Sequence, residues 1–295
     1  VAYTTTELLA GIKRRANIPS ASGVFSDSEL LSMATEELRS YIVPLVLKER
    51  EEYWLTFSDL TLTASTSYPV PIRAIGGKLA EVSVVDTQGR EKNVPRVSPA
   101  NLQDASIGFF MDGQGVRLYL PNNQPPTVIG TTLRLRYYLR PSVLVATTSA
   151  GTVAGLGSFP IVGMGGGYAT LTSGGPFDIV AAGSPFATRS VGFTGTIAGA
   201  NLTSSGLAAA DVTVGDWVCM ADTSPVVQAP VEFHDVLAQK VAVKVFESKG
   251  MTEKLGSARE ELGRMEADAL ALISPRVDGE TKRAVNRGGL FRMRW

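Results

Sequence analysis

A chain of 295 residues with 28 basic and 28 acidic side chains and a pI near 6.8 has room for a buried core, and its balanced charge excludes global attraction to nucleic acid or an acidic membrane surface. One cysteine, Cys219, and one histidine, His234, exclude a disulfide framework, Cys/His zinc sites and Cys-His dyads. The N-terminus lacks a basic-apolar-small signal pattern, and no run of about eighteen apolar residues occurs, so we expect a soluble protein in a reducing cytoplasm, with no membrane span, metal or cofactor.

The chain opens with a predicted helix over residues 4–17, where Thr4 and Glu7 stand at capping-box spacing and Pro19 closes the element. Ser26 and Glu29 repeat the signal. From there Leu30, Leu31, Ala34, Leu38, Tyr41, Ile42 and Leu45 mark the apolar face of a helix running toward Tyr53. Pro44 lies inside it, lacks a backbone donor and crowds the preceding turn, so a kink is expected there.

From Phe57 the apolar period shortens to two: Leu60-Thr61-Leu62-Thr63, Tyr68-Pro69-Val70-Pro71, residues 79–85, residues 116–120 and residues 133–140 read as strands. Asp86-Thr87-Gln88-Gly89 and Asp112-Gly113-Gln114-Gly115 read as hairpin turns, which makes the sheet largely antiparallel. In the last strand Leu133, Leu135, Tyr137 and Leu139 share one face, and Arg134, Arg136 and Arg140 share the other. These arginines could meet phosphates in a DNA channel, but the solvated face of an antiparallel sheet is the favoured reading.

Residues 141–177 contain no charged side chain, and glycine, alanine, serine and threonine dominate onward to about residue 210. Gly155, Gly157, Pro160 and the Gly163-Met164-Gly165-Gly166-Gly167 run break any membrane helix, so short strands and loops are expected, clearest at residues 177–180 and 212–218. The glycine run lacks a Gly-Lys-Ser/Thr ending and reads as a flexible turn, not a phosphate loop.

Pro230 and an early acidic turn then start a helix whose Phe233, Leu237, Val241 and Val245 recur four apart. Gly250 stops it. A second helix, with Leu255, Ala258, Leu262, Met265, Ala269 and Leu272 as its seam, ends at Ser274-Pro275, completing an antiparallel hairpin. His234 and Asp235 point about 100° apart on a helix and lack a nucleophile, so a surface or interface histidine is expected and no catalytic residue is assigned. Glu260 and Arg264 read as a surface pair.

Arg276, Lys282, Arg283, Arg287, Arg292 and Arg294 make the tail basic against only Asp278 and Glu280, and Leu290, Phe291, Met293 and Trp295 are interleaved at its end. Exposed apolar residues of this kind call for a groove, so Arg287, Leu290, Phe291, Arg292, Met293, Arg294 and Trp295 are the candidate partner-binding residues. The fold class expected is α+β. Residues 1–56 and 226–275 form one helical domain, residues 57–225 a mainly antiparallel β-rich insertion with 146–225 as its Gly/Ala/Ser/Thr-rich part, and 276–295 a docking tail.

The capped N-terminal helix pair, the phrases Tyr137-Tyr138-Leu139-Arg140-Pro141-Ser142-Val143-Leu144-Val145 and Val214-Gly215-Asp216-Trp217-Val218, and the helical hairpin headed by residues 230–235 together resemble the head-to-tail adaptor (connector) proteins of tailed bacteriophages. The uncharged insertion departs from the small all-helical adaptors. The resemblance implies a non-enzymatic virion protein, made in the bacterial cytoplasm and located at the neck. It would form a homo-oligomeric ring, usually of twelve subunits, that joins the portal protein to tail or nozzle proteins and lets viral DNA pass through. The rival expectation is a β-rich tail or receptor-binding structural protein.

Overall fold

The protein has an α+β fold in which helices from both ends of the sequence pack together and a large β region lies between them in the chain. The computed structural model describes residues 3–18, 25–99, 107–113, 115–121, 124–156, 161–204 and 207–274. Both expected N-terminal caps form. Before α1 (Thr5–Arg15), Thr4 Oγ1 accepts from the Glu7 amide while the Glu7 carboxylate accepts the Thr4 amide at 2.7 Å, and Ser26 and Glu29 repeat this before α2 (Asp27–Glu37). Such a cap is worth about 1 kcal/mol. Asn17, at φ +50, ends α1 in a left-handed turn, with the Ile18 amide reaching Lys13 O and the Asn17 amide reaching Arg14 O.

The irregularity expected at Pro44 takes the form of a π turn. Residues Leu38–Ile42 adopt wider i→i+5 bonding, Val43 N–H donates to Leu38 O, and regular helix resumes in α3 (Val43–Glu49) with Pro44 in its first turn, where a missing donor does least harm. A 3₁₀ turn (Glu51–Trp54) then leads into the sheet.

At the other end, a 3₁₀ turn (Val231–Phe233), α4 (His234–Ser248) and α5 (Thr252–Ile273) form the expected hairpin. Gly250 sits at φ +64, the Met251 amide caps Phe246 O, and Gln239 Nε2 donates to Ala258 O across the pair. Phe233, Leu237, Val241 and Val245 are fully buried, as the fourfold spacing requires. The seam of α5 ends differently: Ala258, Leu262, Ala269 and Ile273 are buried, while Leu272 is 58% exposed, because a step of four from Ala269 lands on Ile273. These side chains share one core with Leu8, Ile12, Leu30, Leu38, Ile42 and Trp54.

The first β module pairs two antiparallel sheets. One has the order β1 (Leu55–Thr61), β7 (Thr132–Leu139), β3 (Ala74–Val85), β4 (Glu91–Asn93); the other has the order β2 (Ser67–Pro69), β6 (Gly115–Tyr119), β5 (Gly108–Asp112). Val82, Val84, Val116, Leu118, Leu133 and Leu135 form their common core. Of Tyr68-Pro69-Val70-Pro71, only Tyr68 and Pro69 are strand, since the two prolines supply no ladder donors. In the turn after β5 it is Gly113 that takes positive φ, at +61, while Gly115 already pairs in β6.

The second module is a seven-stranded antiparallel sheet, in the order β12 (Thr188–Thr194), β11 (Pro176–Val180), β15 (Trp217–Met220), β9 (Gly151–Leu156), β10 (Ile161–Gly166), β14 (Asn201–Thr203), β13 (Thr196–Ala198). The glycine run expected as a turn is instead largely β10, in the sheet interior. Its lack of side chains allows close backbone approach: a Cβ on Gly163 would stand 3.4 Å from Gly155 O, and one on Gly167, just beyond the strand, 2.2 Å from Thr148 O. Of residues 212–218 only Trp217 and Val218 are strand, because the Asp216 carboxylate accepts from the Thr213 amide and closes a turn ahead of them. The chain reaches this module through β8 (Val143–Leu144) and leaves through β16 (Thr223–Ser224), which pair with each other in parallel. The Leu144 amide donates to Thr35 Oγ1 of α2, and the Thr5 amide to Pro225 O, so both connections are fastened to the helical base.

Candidate functional site

The candidate partner-binding residues Arg287, Leu290, Phe291, Arg292, Met293, Arg294 and Trp295 lie outside the described residues. The candidate DNA-facing arginines do not act as a set. Arg134 makes a two-pronged contact with Asp59 at 2.8 Å and reaches Glu91 at 3.2 Å, while its guanidinium stacks over Phe57. Arg136 pairs with Glu91 at 2.8 Å and Glu81 at 3.4 Å. A hydrogen bond from Ser83, followed by those from the arginines, holds the Glu91 carboxyl down at about 2. The ladder is therefore neutralised in place. Arg140 stands apart, exposed at the end of β7.

His234 corrects the expectation of a surface or interface residue: it is 2% exposed, packed between the rings of Tyr3 and Phe186. Nε2 lies 3.0 Å from Ala229 O, and Nδ1 is buried without a partner among the described residues. Burial lowers its pKa, against the opposite pull of the Ala229 and Val227 carbonyls and the nearby Asp235 and Glu232. The ring is a neutral packing element; Asp235 turns away to pair with Arg15 at 2.7 Å. The Cys219 thiol is fully buried and pushed up by that burial, first, and by Asp178. Arg264 pairs with Glu261, three residues back, in place of Glu260.

Two features were not anticipated. The first is a charged joint between modules. Asp178, fully buried on β11, accepts from Arg73 Nη1, from the Gly192 amide at 2.8 Å and from the Asp222 amide at 3.0 Å. Arg73 Nη2 also donates to buried Ser142 at 2.8 Å, and Asp222 accepts from Arg39 Nη2 at 3.3 Å, while Arg39 donates to Pro141 O. Helical base, first β module and second β module thus meet at one network. Every carboxylate oxygen of Asp178 is engaged by the protein itself, so the joint is a fastening. The available sign was Asp178 itself, the first charge after a long uncharged stretch, set inside an apolar strand.

The second is a cleft beside that joint, lined by Tyr53, Trp54, Leu55, Arg140, Pro185 and Phe186. Trp54 Nε1 donates to Gln228 O and Tyr53 OH to Pro185 O, so its walls come from the helical base and the second β module. Leu55, in its wall, has an exposed side chain, and so has Phe57 two residues further along β1. Among the described residues no cluster of three or more His, Cys, Asp or Glu could hold a metal ion, and no helix is long and apolar enough to cross a membrane. No known protein family and no curated protein matches this chain.

Proposed function

We propose that this protein is a structural, non-enzymatic component of a tailed-phage virion: a head-to-tail adaptor that forms a ring at the neck, joins the portal to tail or nozzle proteins and continues the DNA channel. The observation that carries the reading is the helical base. Elements from both ends of the chain converge on one core, while two β modules project from it, an arrangement suited to stacking bases side by side in a ring and presenting the β modules to other components. Within that base α5 spans 22 residues yet buries only Ala258, Leu262, Ala269 and Ile273, which leaves a long helical face for a neighbour.

Heterologous contacts between such faces close into a ring when their rotation permits, and near-zero net charge limits repulsion among the copies. The arginines of β7 serve the sheet and not the DNA. The basic, aromatic tail supplies the portal anchor, since arginine and aromatic residues are the usual centres of binding energy. Electron microscopy of the purified protein, alone and mixed with portal, is the test. Rings seated on portal particles are expected; a strictly monomeric protein that never joins portal and is absent from virions would overturn the proposal. Removing residues 288–295 is expected to abolish stable portal capture and to yield DNA-filled heads without tails.

A further inference from the structure

Among the described residues, strand β1 is a sheet edge without a guard. It pairs with β7 in unbroken register, and no described strand covers its other side. The other edges are each protected. Strand β4 is three exposed polar residues followed closely by Pro95, β2 contains Pro69, and the Phe109 amide and carbonyl of β5 are already bonded to Pro95 O and the Val97 amide. In the second module the end strands β12 and β13 are two halves of one segment bent at Gly195, which joins the two ends of that sheet. Such devices discourage further pairing. Strand β1 has no proline, no lysine and no bulge, and Leu55 and Phe57 are 42% and 54% exposed along it.

The direction of its free main-chain groups follows from the ladder. Leu62, one residue past β1, donates its amide to Thr131 O, and the Val94 amide donates to Val82 O. Carried through the strand registers, both place the bonds to β7 on Thr56, Ser58 and Leu60. The main-chain groups of Leu55, Phe57, Asp59 and Thr61 therefore point to the open side. Leu55 spends its amide on Glu52 O in the preceding 3₁₀ turn, so the amides of Phe57, Asp59 and Thr61 and the carbonyls of all four are available there. The side chains of these four residues share the outer face, in rows with Tyr138, Arg136, Arg134 and Thr132 of β7.

We propose that a second copy of this chain pairs with this edge, β1 against β1, antiparallel about a two-fold axis at Ser58. The strand is complementary to itself in that register. The amides of Phe57, Asp59 and Thr61 meet the carbonyls of Asp59, Phe57 and Leu55 of the second copy, so none of the three is left unused. Charge matches as well. Asp59 of the second copy falls beside Phe57, whose ring carries the Arg134 guanidinium at 4.4 Å and whose row begins at Arg136. The exposed Glu51 and Glu52 come toward residues 62–65 of the second copy, which are uncharged. Centring the axis on Phe57 would set the Thr61 amide against the 3₁₀ turn, and centring it on Asp59 would oppose two carboxylates, which is destabilising. The pairing concerns the free chain and does not rest on the adaptor reading.

Cysteine cross-linking reads the register. At the axis the two Ser58 Cα atoms stand about 4.5 Å apart, within disulfide range, and Cys219 is fully buried away from the reaction. Ser58→Cys is expected to give a disulfide-linked dimer under mild oxidation. Thr56→Cys, about 13 Å from its counterpart, is expected to give at least about tenfold less. Sedimentation of the full chain reads the affinity. Phe57→Glu, facing Asp59 of the second copy, is expected to weaken the dimer at least about tenfold, and Phe57→Lys, which can pair with that carboxylate, less than about threefold. Unchanged exchange of α4 amides is the measure of intact folding in each variant. Equal cross-linking at both positions, or none at either, overturns the proposal, as does a parent chain that stays monomeric or an equal loss in the Glu and Lys variants. Portal capture is scored separately: dimers that never capture portal overturn only the adaptor reading, and portal-bound rings from a chain that never dimerises overturn only this one.

Discussion

The two β modules solve the same folding problem with opposite chemistry. On the first, residues 55–140, the outward face of the four-stranded sheet carries a ladder of Asp59, Arg134, Glu91, Arg136 and Glu81, each partly exposed and each paired across strands. On the second, residues 147–220, charge is sparse, and the carboxylates of Asp178 and Asp216 are buried at 0% and 3% exposure with backbone amides as partners. Exposed pairs select a register and keep an edge soluble at little net energy. Buried ones fix a geometry, because an unpaired charge in the interior is strongly destabilising. The first module is therefore tolerant of change on its face, and the second is tied to the rest of the molecule at a few points.

Removing the second module is the largest test of that contrast. The helical core contains no side chain from residues 147–220, so a chain in which a short linker replaces them is expected to keep a cooperative helical transition by circular dichroism, at lower thermal stability. Loss of all cooperative unfolding would show that helices and second module share one folding unit. Next in size is Asp178→Ala, which removes the buried one of Arg73's two carboxylate partners, leaving it Asp222 at 3.3 Å, and leaves the Gly192 and Asp222 amides unpaired. Denaturant titration is expected to show a loss of about 3–5 kcal/mol. A loss below 1 kcal/mol would make the joint incidental.

Gly167→Ala places a methyl group against the carbonyls of Thr148 and Ala150, with Cβ distances of 2.2 and 2.7 Å, and is expected to destabilise by about 1–3 kcal/mol. Gly155→Ala, whose Cβ would meet nothing within 4 Å, is the control that separates close approach from glycine content. His234 sharpens the comparison through pH. Its folded pKa lies below the ordinary value, so the unfolded chain takes up a proton that the folded chain refuses. Its contribution is complete above about pH 6.5 and is lost as pH falls below that value. The fall in unfolding free energy from pH 7 to 5 is expected to be shallower in His234→Gln than in the parent chain. The smallest effect is expected on the first module: Arg134→Ser with Arg136→Ser changes stability by about 1 kcal/mol or less per pair and, under the adaptor proposal, leaves DNA packaging and ejection unchanged. A severe packaging defect with intact assembly would return these arginines to the DNA.

How far the sequence foretold this depended on the range of the interactions. Helices announced themselves through spacing and caps that act within four residues, and Thr4-Glu7, Ser26-Glu29 and the Phe233 to Val245 stripe all behave accordingly. The glycine run did not, because its role in β10 is to let Gly155 and Thr148 come close, and those partners are visible only once the sheet is assembled. The same limit hid the joint, where Arg73 and Asp178 meet across 105 residues of sequence. His234 was misplaced for a related reason: a polar residue at a helix start reads as exposed until Tyr3 and Phe186 arrive from distant segments to cover it. Strand β1 was foreseen in part, but its position as an edge follows from sheet order, which period-two alternation does not encode.

The parallel pairing of β8 and β16 has a mechanical consequence. The second module hangs from the C-terminal end of β8 and the N-terminal end of β16, and in a parallel pair those ends lie at opposite extremes of the ladder. A pull on the module therefore shears the two strands past each other. The bonds from the Val143 amide to Asp222 O and from the Val145 amide to Ser224 O, at 2.8 and 3.0 Å, share the load at once. An antiparallel pair would present both ends on one side and open like a zip, one bond after another. With Leu144 anchored to Thr35 and Asp222 to Arg39, the force passes directly into the helices. The mount is thus short but loaded in its stiffest direction, and single-molecule pulling on the module should register one abrupt yield in place of a graded peel.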